Sequence, residues 1–242
     1  MWYLLYNCLL LLLSPVILCV LLAKQRCRRG LPQRLGLLAA QPFKPDVATT
    51  CIWIHAVSLG EVVAVAPLVR ELRGRYPDAR LVVSTVTETG REAVEQRLEG
   101  VAEHRYAPLD FPWVVNQAID QLRPSLYVFV ETELWPNLLR SLRRRNIPSV
   151  LVNGRLSTRS FERQRLPVIR DFYRTMLNMI SSCLMQSERD AQRMIDLGAD
   201  PSRVRCTGNI KFDQPVPRAA AGGRGQGHAG PRRRRAQGGS EA

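Results

Sequence analysis

No two of the six cysteines form a CxxC pair, and Cys8, Cys19, Cys27, Cys51, Cys183 and Cys206 show none of the clustering of a zinc site. That spacing excludes the common metal and redox motifs and reads as buried free thiols in a reducing compartment. The chain also lacks a Walker loop, an HExxH and a GxSxG, so the short signatures of nucleotide hydrolysis, zinc proteolysis and serine hydrolysis are missing. Acidic residues are few: 21 Asp and Glu face 35 Lys and Arg, for a net charge of +14. Such a surplus favours anionic partners, whether phospholipid headgroups, nucleic acid or a phosphorylated substrate.

Charge is missing altogether from residues 2–23, "WYLLYNCLLLLLSPVILCVLLA". At the helical rise this run reaches roughly 33 Å, enough to cross a bilayer core. Trp2, Tyr3 and Tyr6 stand at one end, where aromatic rings favour the interface, and Lys24, Arg26, Arg28, Arg29 and Arg34 follow the other. The positive-inside rule makes the basic end cytoplasmic, so residues 1–23 read as an anchor, 24–50 as a basic juxtamembrane segment, and the body as cytoplasmic. A cleaved signal peptide fits less well, because the charges follow the apolar run and no small-residue cleavage site is evident. Pro15 could kink the helix, or let the segment lie partly in the interface.

What remains is an ordinary folded composition, 45% hydrophobic and 23% charged, in a length that suits one domain or two small ones. Short Val/Ile-rich runs at 51–57, 80–86, 125–131, 148–154, 180–187 and 203–209, with a weaker one at 104–107, suit strands buried on both faces. Helical patterns lie between them at 61–75, 88–99, 112–122, 136–146, 160–178 and 187–197. This alternation predicts an α/β fold, a Rossmann-like parallel sheet over residues 51–213. Ligands of such sheets bind beyond the carboxyl ends of the strands. Those ends carry Ser58–Glu61, Thr85–Gly90, Glu131–Glu133, Asn153–Arg155 and Gly208–Lys211. After Asp213 the composition turns to Gly, Ala, Arg and Pro, and residues 214–242 read as a disordered tail. Such a tail fits an RNA- or membrane-binding role, or out-of-frame translation of a GC-rich sequence.

Glu61, in "SLGE", begins a helix just past the first strand. A carboxylate there stabilises the helix dipole by about 0.3–1 kcal/mol. The same dipole and nearby amides favour its ionised form, and the strand-end position would let a substrate reach it, so it also suits a general base. In "ETELWPN", Glu131 ends the most apolar strand, where an acid requires a partner or a purpose. Glu133 could cap the following helix. His55 lies inside the first strand and reads as a core histidine. Nothing in these patterns supplies a metal-binding set.

Together "HAVSLGE" (55–61), "ETELWPN" (131–137), "LVNGRLSTRS" (151–160) and "TGNIKFD" (207–213) resemble the 3-deoxy-D-manno-octulosonic acid (Kdo) transferases of lipopolysaccharide synthesis. The resemblance runs from about residue 1 to Asp213 and includes the anchor and its basic flank. It implies the N-terminal domain of a GT-B glycosyltransferase, with transfer of Kdo from CMP-Kdo to the lipid A precursor at the inner membrane. It implies an inverting, metal-independent reaction with no cofactor. Glu61 would be the general base, and Glu131 and Lys211 the stabilisers of the transition state. The matching stretch stops before the family's second, CMP-binding domain, so the chain is expected to hold the acceptor half of the site. The alternative is a non-catalytic, membrane-associated module that binds the phosphorylated lipid acceptor. A nucleic-acid-binding protein is disfavoured by the anchor and by the lack of aromatic–basic interleaving.

Overall fold

The computed structural model describes residues 2–23, 28–37 and 50–213. The tail at 214–242, Cys27 and much of the basic 24–50 segment lie outside these.

Seven strands form one sheet: β1 (Cys51–His55), β2 (Arg80–Thr85), β3 (Glu103–Tyr106), β4 (Leu126–Val130), β5 (Ser149–Gly154), β6 (Ser182–Met185) and β7 (Val204–Cys206). All neighbours are parallel, in the order β3-β2-β1-β4-β5-β6-β7. The chain therefore builds outward from β1 to β3, returns to place β4 on the other side of β1, and builds outward again. That reversal between β1 and β4 opens a crevice at their carboxyl ends, because the loops leave toward opposite faces.

The described helices are α1 (Trp2–Ala23), α2 (Leu31–Arg34), α3 (Leu59–Arg75), α4 (Glu88–Arg97), α5 (Pro112–Leu122), α6 (Pro136–Arg144), α7 (Thr158–Gln164), α8 (Pro167–Leu177) and α9 (Glu188–Asp196). Both faces of the sheet are covered. Ile52, Ile54, Leu81, Val83, Val128 and Val130 pack with Val62, Val65 and Val69 of α3 and Val94 of α4. Trp53, Tyr127, Phe129 and Leu151 pack on the other face with Leu138 and Leu142 of α6 and Met194 of α9. Alternate residues of one strand enter opposite cores, which is why the strands read as continuous apolar runs.

Three expectations change. The helix expected over 160–178 is two helices, α7 and α8, because Pro167 has no N–H to continue the first and occupies the opening turn of the second. Cys51 and Cys183 are buried free thiols, but Cys8, Cys19 and Cys206 are exposed, since they sit on an uncovered helix face and at an edge strand. Arg34 does not flank the anchor in solvent. It is buried on the body, where its Nη2 donates to the Val86 carbonyl (2.7 Å) and its guanidinium lies 4.4 Å from the Tyr106 ring centroid.

The apolar helix α1 is present over the expected residues. It runs along the body, touching the Leu109–Val114 stretch, α6 and α8.

Candidate functional site

Glu61 occupies the first turn of α3, directly beyond β1. Its carboxylate is nearly buried, at 8% exposure, and accepts from the Val57 amide (2.9 Å) and the Ser58 hydroxyl (3.0 Å). The arrangement is close to a capping box, in which an acid at the third helical position reaches back to the incoming chain. The Ser-x-x-Glu spacing carries that signal in the sequence. Capping and reactivity are thus not exclusive here: the two hydrogen bonds fix the carboxylate at the mouth of the crevice.

Its proton affinity differs from expectation. Burial raises the Glu61 pKa above the ordinary carboxylate value and outweighs the Val57 and Ser58 hydrogen bonds, while the nearby Glu131 and Glu133 carboxylates add to the rise. The dipole and amides alone would have favoured the ionised form, but desolvation wins. A raised pKa makes the carboxylate a stronger base once it is ionised.

Glu131 follows β4, across the crevice from Glu61. Its backbone is left-handed (φ 57°), and its amide donates to the Val152 carbonyl (3.0 Å). This turn lifts the side chain off the sheet edge, where it meets Lys211: Oε1 lies 3.8 Å from Nζ. Lys211 sits in the one-turn helix Ile210–Asp213 after β7, which lies against α3. The three residues singled out in the sequence therefore converge on one edge of the sheet.

Two further residues support this edge: Asn153, which the sequence placed at the end of the fifth strand, and Asp110, which it did not single out. Asn153, also left-handed (φ 56°), accepts at Oδ1 from the Ile210 amide (3.2 Å) and so ties the end of β5 to the Lys211 turn. Asn is among the few residues that adopt this left-handed conformation readily. Asp110, after β3, accepts from the amides of Asn137 (3.0 Å) and Leu138 (2.9 Å), capping α6 from a distant loop. No local pattern marks such a cap, because donor and acceptor are far apart in the chain.

His55 lies beneath the site and packs edge-on against Trp135 at 5.2 Å. Its Nδ1 is 2.9 Å from Ser84 Oγ, which also accepts from Trp53 Nε1 (2.8 Å). Burial holds its pKa down at about 4, so the ring is neutral. The core-histidine reading stands. Glu133 is exposed and does not cap α6, whose cap is Asp110. Among the described residues, no three His, Cys, Asp or Glu side chains are grouped to hold a metal ion.

Residues 29–214 match the profile of the family described as 3-deoxy-D-manno-octulosonic-acid transferase (kdotransferase). The chain belongs to the Kdo transferase family. It is 38% identical over 217 residues to a 3-deoxy-D-manno-octulosonic acid transferase of Haemophilus influenzae, covering 88% of this chain and 50% of that one. It is 30% identical over 210 residues to the corresponding protein of Chlamydophila psittaci, covering 86% and 48%. The chain thus spans about half the length of the curated relatives it matches. Among solved structures, the putative UDP-N-acetylglucosamine 2-epimerase of Listeria monocytogenes superposes with a TM-score of 0.51 at 14% identity, over 69% of this chain and 46% of that one. At that identity the likeness shows the Rossmann-like fold alone. The motifs that carry the resemblance all fall within the matched stretch of this family.

Proposed function

We propose that residues 51–213 form the acceptor-side domain of a Kdo transferase that moves Kdo from CMP-Kdo to a hydroxyl of the lipid A precursor, at the cytoplasmic face of an inner membrane. Glu61 takes the proton of the acceptor hydroxyl as that oxygen attacks the anomeric carbon, the bond to CMP breaks, and the configuration inverts. Glu131 faces the positive charge that develops on the oxocarbenium-like sugar, and Lys211 faces the negative charge that develops on the leaving phosphate. No metal or cofactor enters this scheme.

The observation that carries the reading is the convergence of Glu61, Glu131 and Lys211, from three separated motifs, on the crevice between β1 and β4. The basic charge suits a phosphorylated acceptor, and α1 suits its membrane location.

The test is Kdo transfer from CMP-Kdo to the lipid A precursor in detergent, with the chain alone and with the C-terminal half of a full-length relative added. Transfer that Glu61→Gln abolishes supports the reading, and transfer unchanged by it removes Glu61 as the base. Precursor binding without transfer in either arm would favour the second reading, a non-catalytic module for the lipid acceptor, which the half-length match to the relatives keeps in view.

A further inference from the structure

All the hydroxyl and amide side chains of α1 lie on one stripe. Tyr3, Tyr6, Asn7 and Ser14 fall at helical spacing on a single face. Together with Trp2, Leu10, Ile17 and Leu21 they are half-covered by the body, while the other residues of α1 are exposed. The stripe runs the full length of the helix, so α1 lies along the body from end to end.

The contacts at its N-terminal end are specific. The Tyr6 hydroxyl donates to Asp110 Oδ2 (2.9 Å), the acid that caps α6. Asn137 Nδ2 donates to Asn7 Oδ1 (2.7 Å). The Arg140 guanidinium lies 4.5 Å over the Tyr3 ring, and Phe172 of α8 meets the rings of Trp2, Tyr3 and Tyr6 at 6.3, 5.9 and 6.0 Å.

These contacts are incompatible with a bilayer-crossing helix. With Ala23 at the cytoplasmic interface, Asn7 would stand about 24 Å away across the hydrocarbon. Asp110, Asn137 and Phe172 belong to the body and could not follow it.

We propose that α1 lies flat in one leaflet, clamped to the body by its polar stripe, with its leucine face among the lipid acyl chains. This rests on the membrane location proposed above and specifies how the chain sits there. The outward face, including Leu4, Leu5, Leu9, Leu12 and Val16, carries no charge. The apolar surface continues onto the body: a groove of about 360 Å³ separates α1 from Leu109, Phe111 and Trp113, and Trp113 is 57% exposed. An exposed indole beside such a groove suits the lipid interface. Arg28 and Arg29 follow the helix, on a chain whose net charge of +14 suits an anionic leaflet. A helix with one apolar face and one satisfied polar face has this placement available at no cost in unpaired groups.

The test uses the full chain carrying an N-terminal epitope tag, expressed in a bacterial host. Sedimentation with washed membranes checks the location itself; a chain found in the soluble fraction, alone or as a dimer through its apolar face, overturns the location and this proposal together. In membrane-bound chain, two readouts separate flat from spanning. With Cys8, Cys19, Cys27 and Cys206 replaced by Ser, the pair Asn7→Cys and Asn137→Cys should cross-link on mild oxidation while either single substitution does not. Protease should remove the tag in inverted vesicles and leave it intact on spheroplasts. Removal of the tag on spheroplasts overturns the proposal with the membrane location intact. A protected tag without the cross-link also overturns it, because the clamp to the body would then be absent.

Discussion

Lys211 Nζ stands 3.8 Å from Glu131 Oε1, although one residue follows the central strand β4 and the other follows the edge strand β7. The pair spans a corner of the crevice that Glu61 faces. Both side chains are half-exposed, at 47% for Lys211 and 35% for Glu131, so a ligand can reach between them.

An ion pair that open to water contributes about 0–1 kcal/mol to folding. Lys211→Ala is therefore expected to leave the unfolding free energy within about 1 kcal/mol of the parent. Under the proposed chemistry it should lower Kdo transfer on the order of 100-fold or more, as loss of a charge-stabilising donor does elsewhere. A melt and a turnover assay on the same preparation check this. A large loss of stability would recast the pair as structural.

Under the proposed chemistry, Glu61 should control the acid limb of activity. Its raised pKa means that the ionised base appears only above the ordinary glutamate value of about 4.3. The midpoint of the acid limb of kcat/KM is expected above that value, and Glu61→Gln should remove the limb along with most of the rate. The stability linkage has a definite sign. A carboxyl with a raised folded pKa stabilises fully below its unfolded pKa, and that contribution is lost as pH rises through the folded value. Glu61→Gln should flatten this dependence, which urea titrations at several pH values would read.

Asp110→Ala should destabilise the fold by about 2 kcal/mol, since it removes a helix cap and leaves the buried amides of Asn137 and Leu138 unpaired. Burial pushes the Asp110 pKa up to about 6, against the pull of the Asn137 amide, the Tyr6 hydroxyl and the Leu138 amide. Its contribution to stability is therefore present below about 3.9 and falls as pH rises toward about 6. Denaturant midpoints of parent and variant across that window test both statements.

Neither His55 nor His104 should carry a proton at neutral pH. Burial holds both pKa values down at about 4, and for His104 the neighbouring Arg91 charge adds to the effect. The unfolded chain takes up these protons below about 6.5, so their linkage lowers stability as pH falls from there to about 4. Ring titration by nuclear magnetic resonance reads this directly, and a His55 midpoint near 6.5 would contradict the buried, neutral ring.

The strands were legible because burial on both faces demands continuous apolar runs, and Cys51–Ile54, Leu81–Val83 and Leu126–Val130 all show them. Glu61 was legible as an acid at a strand end that a helix cap explains only in part, and Glu131 as an acid ending the most apolar strand. The division of α7 from α8 was signalled by Pro167 but hidden by the apolar periodicity running through it. The pKa shift of Glu61 was not legible, because local amides argue one way and burial, a property of the assembled crevice, argues the other.

The sequence by itself determined the parallel α/β body, the uncharged N-terminal helix and the motifs of the Kdo transferase family, since local patterning and composition suffice for these. Only the tertiary structure decided that β4 returns beside β1, which sets Glu61 and Glu131 across one crevice and brings Lys211 to it. It alone decided that Tyr6 meets Asp110 and Asn7 meets Asn137. Contacts between residues so far apart in the chain depend on strand order and helix packing, and no local stretch of sequence encodes either.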